Sequence, residues 1–163
     1  MSDEGTTPVD DDEPLEIPEI DTTIERILCP VDGSEGSEFG LAWASAIAAV
    51  TGAEILAVVA CDPPVTIRRR GILEVEHLRV EMEEDAKEIA TEATELLMAR
   101  GLRVRGIVVV GDPVETILQT AHDEDVDLIV MGRRGRGRLP GALVGSVSEK
   151  ISRHAPVPVF LAN

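Results

Sequence analysis

The chain of 163 residues has room for one ordinary domain with a sizeable core. Hydrophobic residues make up 44% but aromatics only 2%, so the core must come from Val, Ile, Leu and Ala, and strand-sized apolar runs exclude a membrane-spanning helix. Acids outnumber bases by 31 to 15, and a formal net charge of −16 repels nucleic acid and anionic membrane.

In chain order, residues 1–25 come first, with ten acids, no base, and Pro8, Pro14 and Pro18 without an apolar period. Low hydrophobicity with high charge is the composition of a disordered tail, which sets a tail at 1–22 and the domain at 23–163. An acidic start is unlike a signal peptide, and Cys29 and Cys61 are too few for a disulfide scaffold, so the chain reads as cytoplasmic with two buried thiols. Lys87 and Lys150 are the only lysines beside thirteen arginines. Scarce Lys with excess carboxylate points to a protein adapted to high salt, where screening relieves self-repulsion.

Ile24 to Val31 reads as a first strand and Ser37 to Val50 as a helix stopped by Gly52. Glu54 to Cys61 is a second strand, followed by a loop in which Arg68, Arg69 and Arg70 either form a solvated run or help cover a bound ligand. From about Leu73 to Arg100, the apolar positions Leu78, Met82, Ala86, Ile89, Ala93 and Leu96 draw one stripe on a long amphipathic helix ended by Gly101. The acids of that helix form a solvated face. Leu102 to Val110 is the third strand. Asp112, Pro113 and Glu115 then give a helix start: a capping side chain, Pro in the first turn and a carboxylate. That helix runs to about His122. Val126 to Met131 is the fourth strand. Ser146 and Glu149 suggest a capping box opening a helix through Arg153, and Val157 to Leu161 is a fifth strand. Strands of nearly continuous Val, Ile and Leu belong to a parallel sheet buried on both faces. Right-handed crossovers then give a doubly wound α/β sandwich, with ligands bound at the carboxyl ends of strands where strand order reverses.

Three segments land at those ends: Pro30 to Ser34, Gly111 to Pro113, and Gly132 to Ser146. The last holds Gly132, Gly135, Gly137, Gly141 and Gly145 with Arg133, Arg134, Arg136 and Arg138, and it feeds a helix N-terminus. Backbone N–H groups freed by glycine, a helix dipole and local positive charge favour an anion, most simply phosphate. There is no GxxxxGK[ST] segment and no GxGxxG after the first strand, which argues against P-loop phosphotransferases and dinucleotide dehydrogenases. His77, His122 and His154 lack metal-ligand spacing and read as surface residues. Cys29 and Cys61 have no CxxC partner or adjacent base.

The run Gly132-xx-Gly135, nine residues, Gly145-Ser146 resembles the G-2x-G-9x-G-[S/T] motif of ATP-binding universal stress proteins. The flanks DLIVMG and LVGSVSEKI, the APVPV segment, the opening ILCPVDGSEGSE and the stretch VVVGDPVETILQTAHDEDVDLIVMG are similar to the same family. The resemblance implies a five-stranded parallel sheet of order 3-2-1-4-5 and a homodimer, here through the apolar edge of the last strand. It implies ATP as ligand and a cytoplasmic regulator of the stress response with little or no catalysis; Mg²⁺, as a companion of the phosphates beside Asp32, is a separate expectation from that strand-end carboxylate. The alternatives are a slow ATPase or nucleotidyl-transfer enzyme using the same pocket, or a nucleotide-independent dimeric scaffold. The nucleotide-binding set implied is Pro30, Asp32, Val59, Gly132, Arg133, Arg134, Gly135, Arg136, Gly145, Ser146, Val147 and Ser148. Within it, Pro30 and Asp32 flank adenine and ribose, Val59 offers the base a backbone contact, and the glycines with Ser146 line phosphates and ribose.

Overall fold

The computed structural model describes residues 19, 23–62, 72–136 and 143–163. All of the acidic tail except Glu19 lies outside the described residues, as do Arg68–Arg70 and Gly137, Arg138 and Gly141 of the Gly/Arg segment. The element order is β1 (Arg26–Pro30), α1 (Glu35–Thr51), β2 (Glu54–Cys61), α2 (Ile72–Met98), β3 (Val104–Val110), α3 (Pro113–Asp123), β4 (Leu128–Gly132), α4 (Ser146–His154) and β5 (Val159–Ala162). The strands form one parallel sheet in the order β3-β2-β1-β4-β5.

Pleating sends alternate side chains of each strand to opposite faces. Ile27, Cys29, Ile55, Ala57 and Val59 pack under α1 and α2, with Leu41, Ala44, Ala48, Ala86, Ala90, Ala93 and Leu97 from those helices. Leu28, Leu56, Val58, Ile129 and Met131 pack on the other side with Ile117, Ala121 and Ile151 of α3 and α4. Leu97, not Leu96, completes the α2 stripe: Leu97 is fully buried while Leu96 faces solvent. Both thiols are free and buried, and burial pushes Cys29 up to about 12. Among the described residues, no helix is long and apolar enough to cross a membrane.

Helix ends follow local chemistry. Ser34 caps α1, its Oγ accepting from the Ser37 N–H at 3.2 Å, so α1 starts two residues earlier than the sequence suggests. Gly52 closes α1 in the left-handed region (φ 73°), which glycine adopts without strain. Asp112 caps α3 as expected, accepting from Val114 and Glu115 N–H. The capping box at α4 does not form. Gly145 is the N-cap, Ser146 is already the first helical residue, and no side chain caps the helix. β5 is also shorter than expected: Pro158 has no N–H to give and joins the ladder only through its carbonyl, which accepts from Ile129 N–H at 3.0 Å.

Candidate functional site

β1 sits between β2 and β4, so successive connections leave it in opposite directions and a crevice opens at its carboxyl end. The crevice is a cleft of about 400 Å³, within the usual range for small-molecule sites. Pro30, Val31 and Asp32 come from the end of β1, and Val58, Val59 and Ala60 from β2. Met131, Gly132, Arg134, Gly135 and Arg136 follow β4, and Gly145 to Ser148 open α4. Eleven of the twelve residues expected from the sequence therefore share one cleft. Arg133 is the exception. Its N–H donates to the Ala162 carbonyl and its carbonyl accepts from the Gly145 N–H, both at 2.8 Å. Its backbone thus ties the segment after β4 to β5 and to the start of α4, and it is absent from the cleft wall.

Asp32 organises the cleft rather than standing free in it. Oδ1 accepts from the Ser34 N–H (3.0 Å) and Ser34 Oγ–H (2.5 Å), and Oδ2 accepts from the Arg136 N–H (2.8 Å). Burial raises its pKa, but the hydrogen bonds from Ser34 and Arg136 outweigh burial and hold the carboxyl below the usual carboxylate range. It is an ionised pin joining the β1–α1 turn to the segment after β4. Gly135 lies so close that a Cβ there would come 2.5 Å from Asp32 Oδ2.

The glycines differ in what they allow. A Cβ on Gly132 would overlap the carbonyl of Gly36, and one on Gly36 would overlap the carbonyl of Arg134. A Cβ on Gly40 would approach the Gly132 nitrogen to 3.0 Å. These three glycines let α1 cross the end of β4 backbone against backbone. Gly145 has an ordinary extended backbone (φ −72°, ψ 154°), and a Cβ there would meet its neighbours at 3.4 Å. Its missing side chain leaves the first-turn N–H groups of α4 without a side-chain cap, facing the cleft. Ser148 is buried and its Oγ–H donates to the Gly132 carbonyl at 2.9 Å, so its hydroxyl serves the framework.

The positive end of the cleft joins Arg134, Arg136 and the α4 N-terminus; its floor is Val58, Val59, Ile117 and Met131. The far wall is α2, which contributes Met82, Asp85, Ala86 and Ile89, with Asp62 nearby. Sequence reasoning missed this wall, treating Met82 and Ile89 as core and Asp85 as solvated. A usable signal was length. At ~1.5 Å per residue a 27-residue helix overhangs an eight-residue strand at ~3.3 Å per residue, and its N-terminal half returns over the strand ends.

A profile of the universal stress protein family matches residues 23–163. The chain belongs to the universal stress protein family. Universal stress protein MJ0577 of Methanocaldococcus jannaschii is 32% identical over 152 residues, 84% of this chain and 93% of that protein. Its solved structure superposes with a TM-score of 0.77 at 31% identity, covering 86% of this chain and 96% of that one. A universal stress protein of Thermus aquaticus is 37% identical over 143 residues, covering 84% of this chain and 97% of that protein. The Archaeoglobus fulgidus universal stress protein in complex with dAMP shares the fold at 20% identity, with a TM-score of 0.61 and coverage of 86% and 98%. The described strands have the sheet order that the family resemblance implied, β3-β2-β1-β4-β5.

Proposed function

We propose that the cleft binds an adenine nucleotide, ATP with Mg²⁺, and that occupancy rather than turnover is the output of a cytoplasmic stress-response regulator. One observation carries the reading: the α4 N-terminus, uncapped by any side chain, opens into a cleft whose rim carries Arg134 and Arg136 in a strongly acidic chain. Free N–H groups, helix dipole and guanidinium groups together select a phosphate. The apolar floor beside Val59 suits the flat face of a base, and Pro30 closes it from β1. The A. fulgidus relative binds dAMP, which agrees in ligand class. No group of three or more His, Cys, Asp or Glu able to hold a metal occurs among the described residues, so Mg²⁺ would be held mainly by the phosphates it accompanies.

The disposition of Asp32, the cleft carboxylate nearest the phosphate end, supports binding without turnover. It already accepts three hydrogen bonds and is a poor base for activating water. Titration calorimetry with ATP and Mg²⁺, followed by phosphate release over many turnovers, tests both halves. Heat without sustained release is expected; sustained release makes the protein an ATPase, and no heat with any adenine nucleotide leaves a scaffold.

Two further readings accompany it. The chain forms a homodimer that includes the apolar edge of its last strand, and its acid excess reflects adaptation to high salt. A melting midpoint that stays flat from low to molar KCl contradicts the second.

A further inference from the structure

Sheet order leaves one place for the sugar of a nucleotide bound as proposed above. Phosphate meets α4, which follows β4, and the base lies on β2, while β1 runs between those two strands. At ~4.8 Å per strand spacing the two ends stand about 10 Å apart, and the ribose comes over the carboxyl end of β1. Asp32 and Gly33 are the residues there. At a strand end of this kind a ribose hydroxyl is read by a free carboxylate, whereas a ribose phosphate is met by an arginine. Asp32 is not free, because hydrogen bonds from Ser34 and Arg136 already engage both of its oxygens.

An arginine is in place. The backbone N–H of Arg136 is fastened to Asp32 Oδ2 at 2.8 Å, and its side chain reaches across the β1–α1 turn toward α2. A Cβ on Gly33 would stand 3.1 Å from Arg136 Nη2 and 3.4 Å from Ile89 Cδ1. The guanidinium thus stands in the space that a side chain on Gly33 would need, and it makes no hydrogen bond or ion pair with a described residue. Arg134 is placed differently: its Cα lies 3.4 Å from where a Cβ on Gly145 would be, beside the start of α4. Two arginines two positions apart therefore serve two parts of the cleft, one the 5′ phosphates and one the sugar. An unpaired guanidinium offers a fork for two phosphate oxygens. Asp85, one turn before Ile89, lines the same wall and repels an anion that Arg136 does not pair. We infer that the cleft takes an adenine nucleotide phosphorylated on its ribose as well as at the 5′ position, with Arg136 as partner of the ribose phosphate. The inference rests on the nucleotide reading above and names the ligand class within it.

Titration calorimetry of the full chain at one salt concentration tests it with three probes: 5′-AMP, adenosine 3′,5′-bisphosphate and adenosine 2′,5′-bisphosphate. One bisphosphate isomer is expected to bind about tenfold more tightly than 5′-AMP, and which isomer does so tells which ribose oxygen faces Arg136. Arg136→Gln keeps the backbone N–H that Asp32 accepts, so its melting point stays, while the ratio of bisphosphate to 5′-AMP affinity falls to one or below. Arg100→Gln removes the same charge beyond the far end of α2, before β3, and retains the advantage. Bisphosphates that bind no more tightly than 5′-AMP overturn the inference and leave the nucleotide reading standing. So does an advantage that survives Arg136→Gln, or one that Arg100→Gln abolishes equally. No heat with any of the three probes overturns both.

Discussion

The two ends of the β4–α4 connection carry the same residue for opposite reasons. At its start, Gly132 is glycine because the α1 backbone at Gly36 occupies the space of a side chain. At its end, Gly145 has room for a Cβ and no unusual torsion; the absent side chain matters to whatever approaches α4 from the cleft. A motif read as one phosphate cradle is therefore half packing joint and half binding site, and substitutions should separate the halves.

The largest effect is expected at the joint. Gly132→Ala forces a methyl into the Gly36 carbonyl and costs about 3 kcal/mol, the scale of an overpacked core. A melting curve should then fall by roughly 10 °C for a domain of this size. An unchanged midpoint breaks the comparison at its first term. At the other end, Gly145→Val should melt close to wild type and weaken ATP by about a hundredfold or more, roughly 2.7 kcal/mol. Equal loss of stability and binding there would erase the distinction between the two ends.

Asp32 sharpens the comparison, because it fastens the middle of the connection. Asp32→Ala removes the acceptor for Ser34 and Arg136 and should cost about 1.5–3 kcal/mol, the scale of hydrogen bonds to a charged group. The folded carboxyl titrates below its unfolded value near ~4. Its contribution is thus whole above that pH and is lost as pH falls through the lower folded value. Unfolding followed from pH 6 to pH 2 should show a gap between wild type and Asp32→Ala that closes only below about pH 4. A gap independent of pH shows that the charge is not what stabilises the turn.

The smallest effect is at Ser146. Its hydroxyl caps nothing in the free protein, so Ser146→Ala should leave melting within about 0.5 kcal/mol, as at ordinary surface sites. ATP affinity should drop by about tenfold if that hydroxyl donates to a phosphate oxygen. A drop in melting above 1 kcal/mol would restore the capping role that the sequence suggested.

Much of this was legible in the sequence because the succession of strands and helices, the apolar stripes and the glycine spacing are local patterns. The parallel α/β class and the position of the cleft followed from them, while the sheet order came from the family resemblance that the glycine spacing carries. Leu97 was missed because Leu96 and Leu97 are adjacent and a step of three or four from Ala93 is equally helical. Ser34 was missed as a cap because its hydroxyl sits in a turn also held by Asp32. The role of Gly132 depends on where α1 crosses β4, a contact between residues nearly a hundred positions apart that no local pattern encodes. Arg133 shares its loop and charge with Arg134 and Arg136, and only the fold separates them.

The central claim is that phosphate meets the open start of α4 while the base lies on β2. Amide chemical shifts recorded as ATP and Mg²⁺ are added test it residue by residue. Saturable shifts at Gly145, Ser146 and Val147 together with Val59, and small shifts across β3, are the predicted result. Shifts that leave Gly145–Val147 untouched, or no saturable shift at any concentration of nucleotide, contradict it.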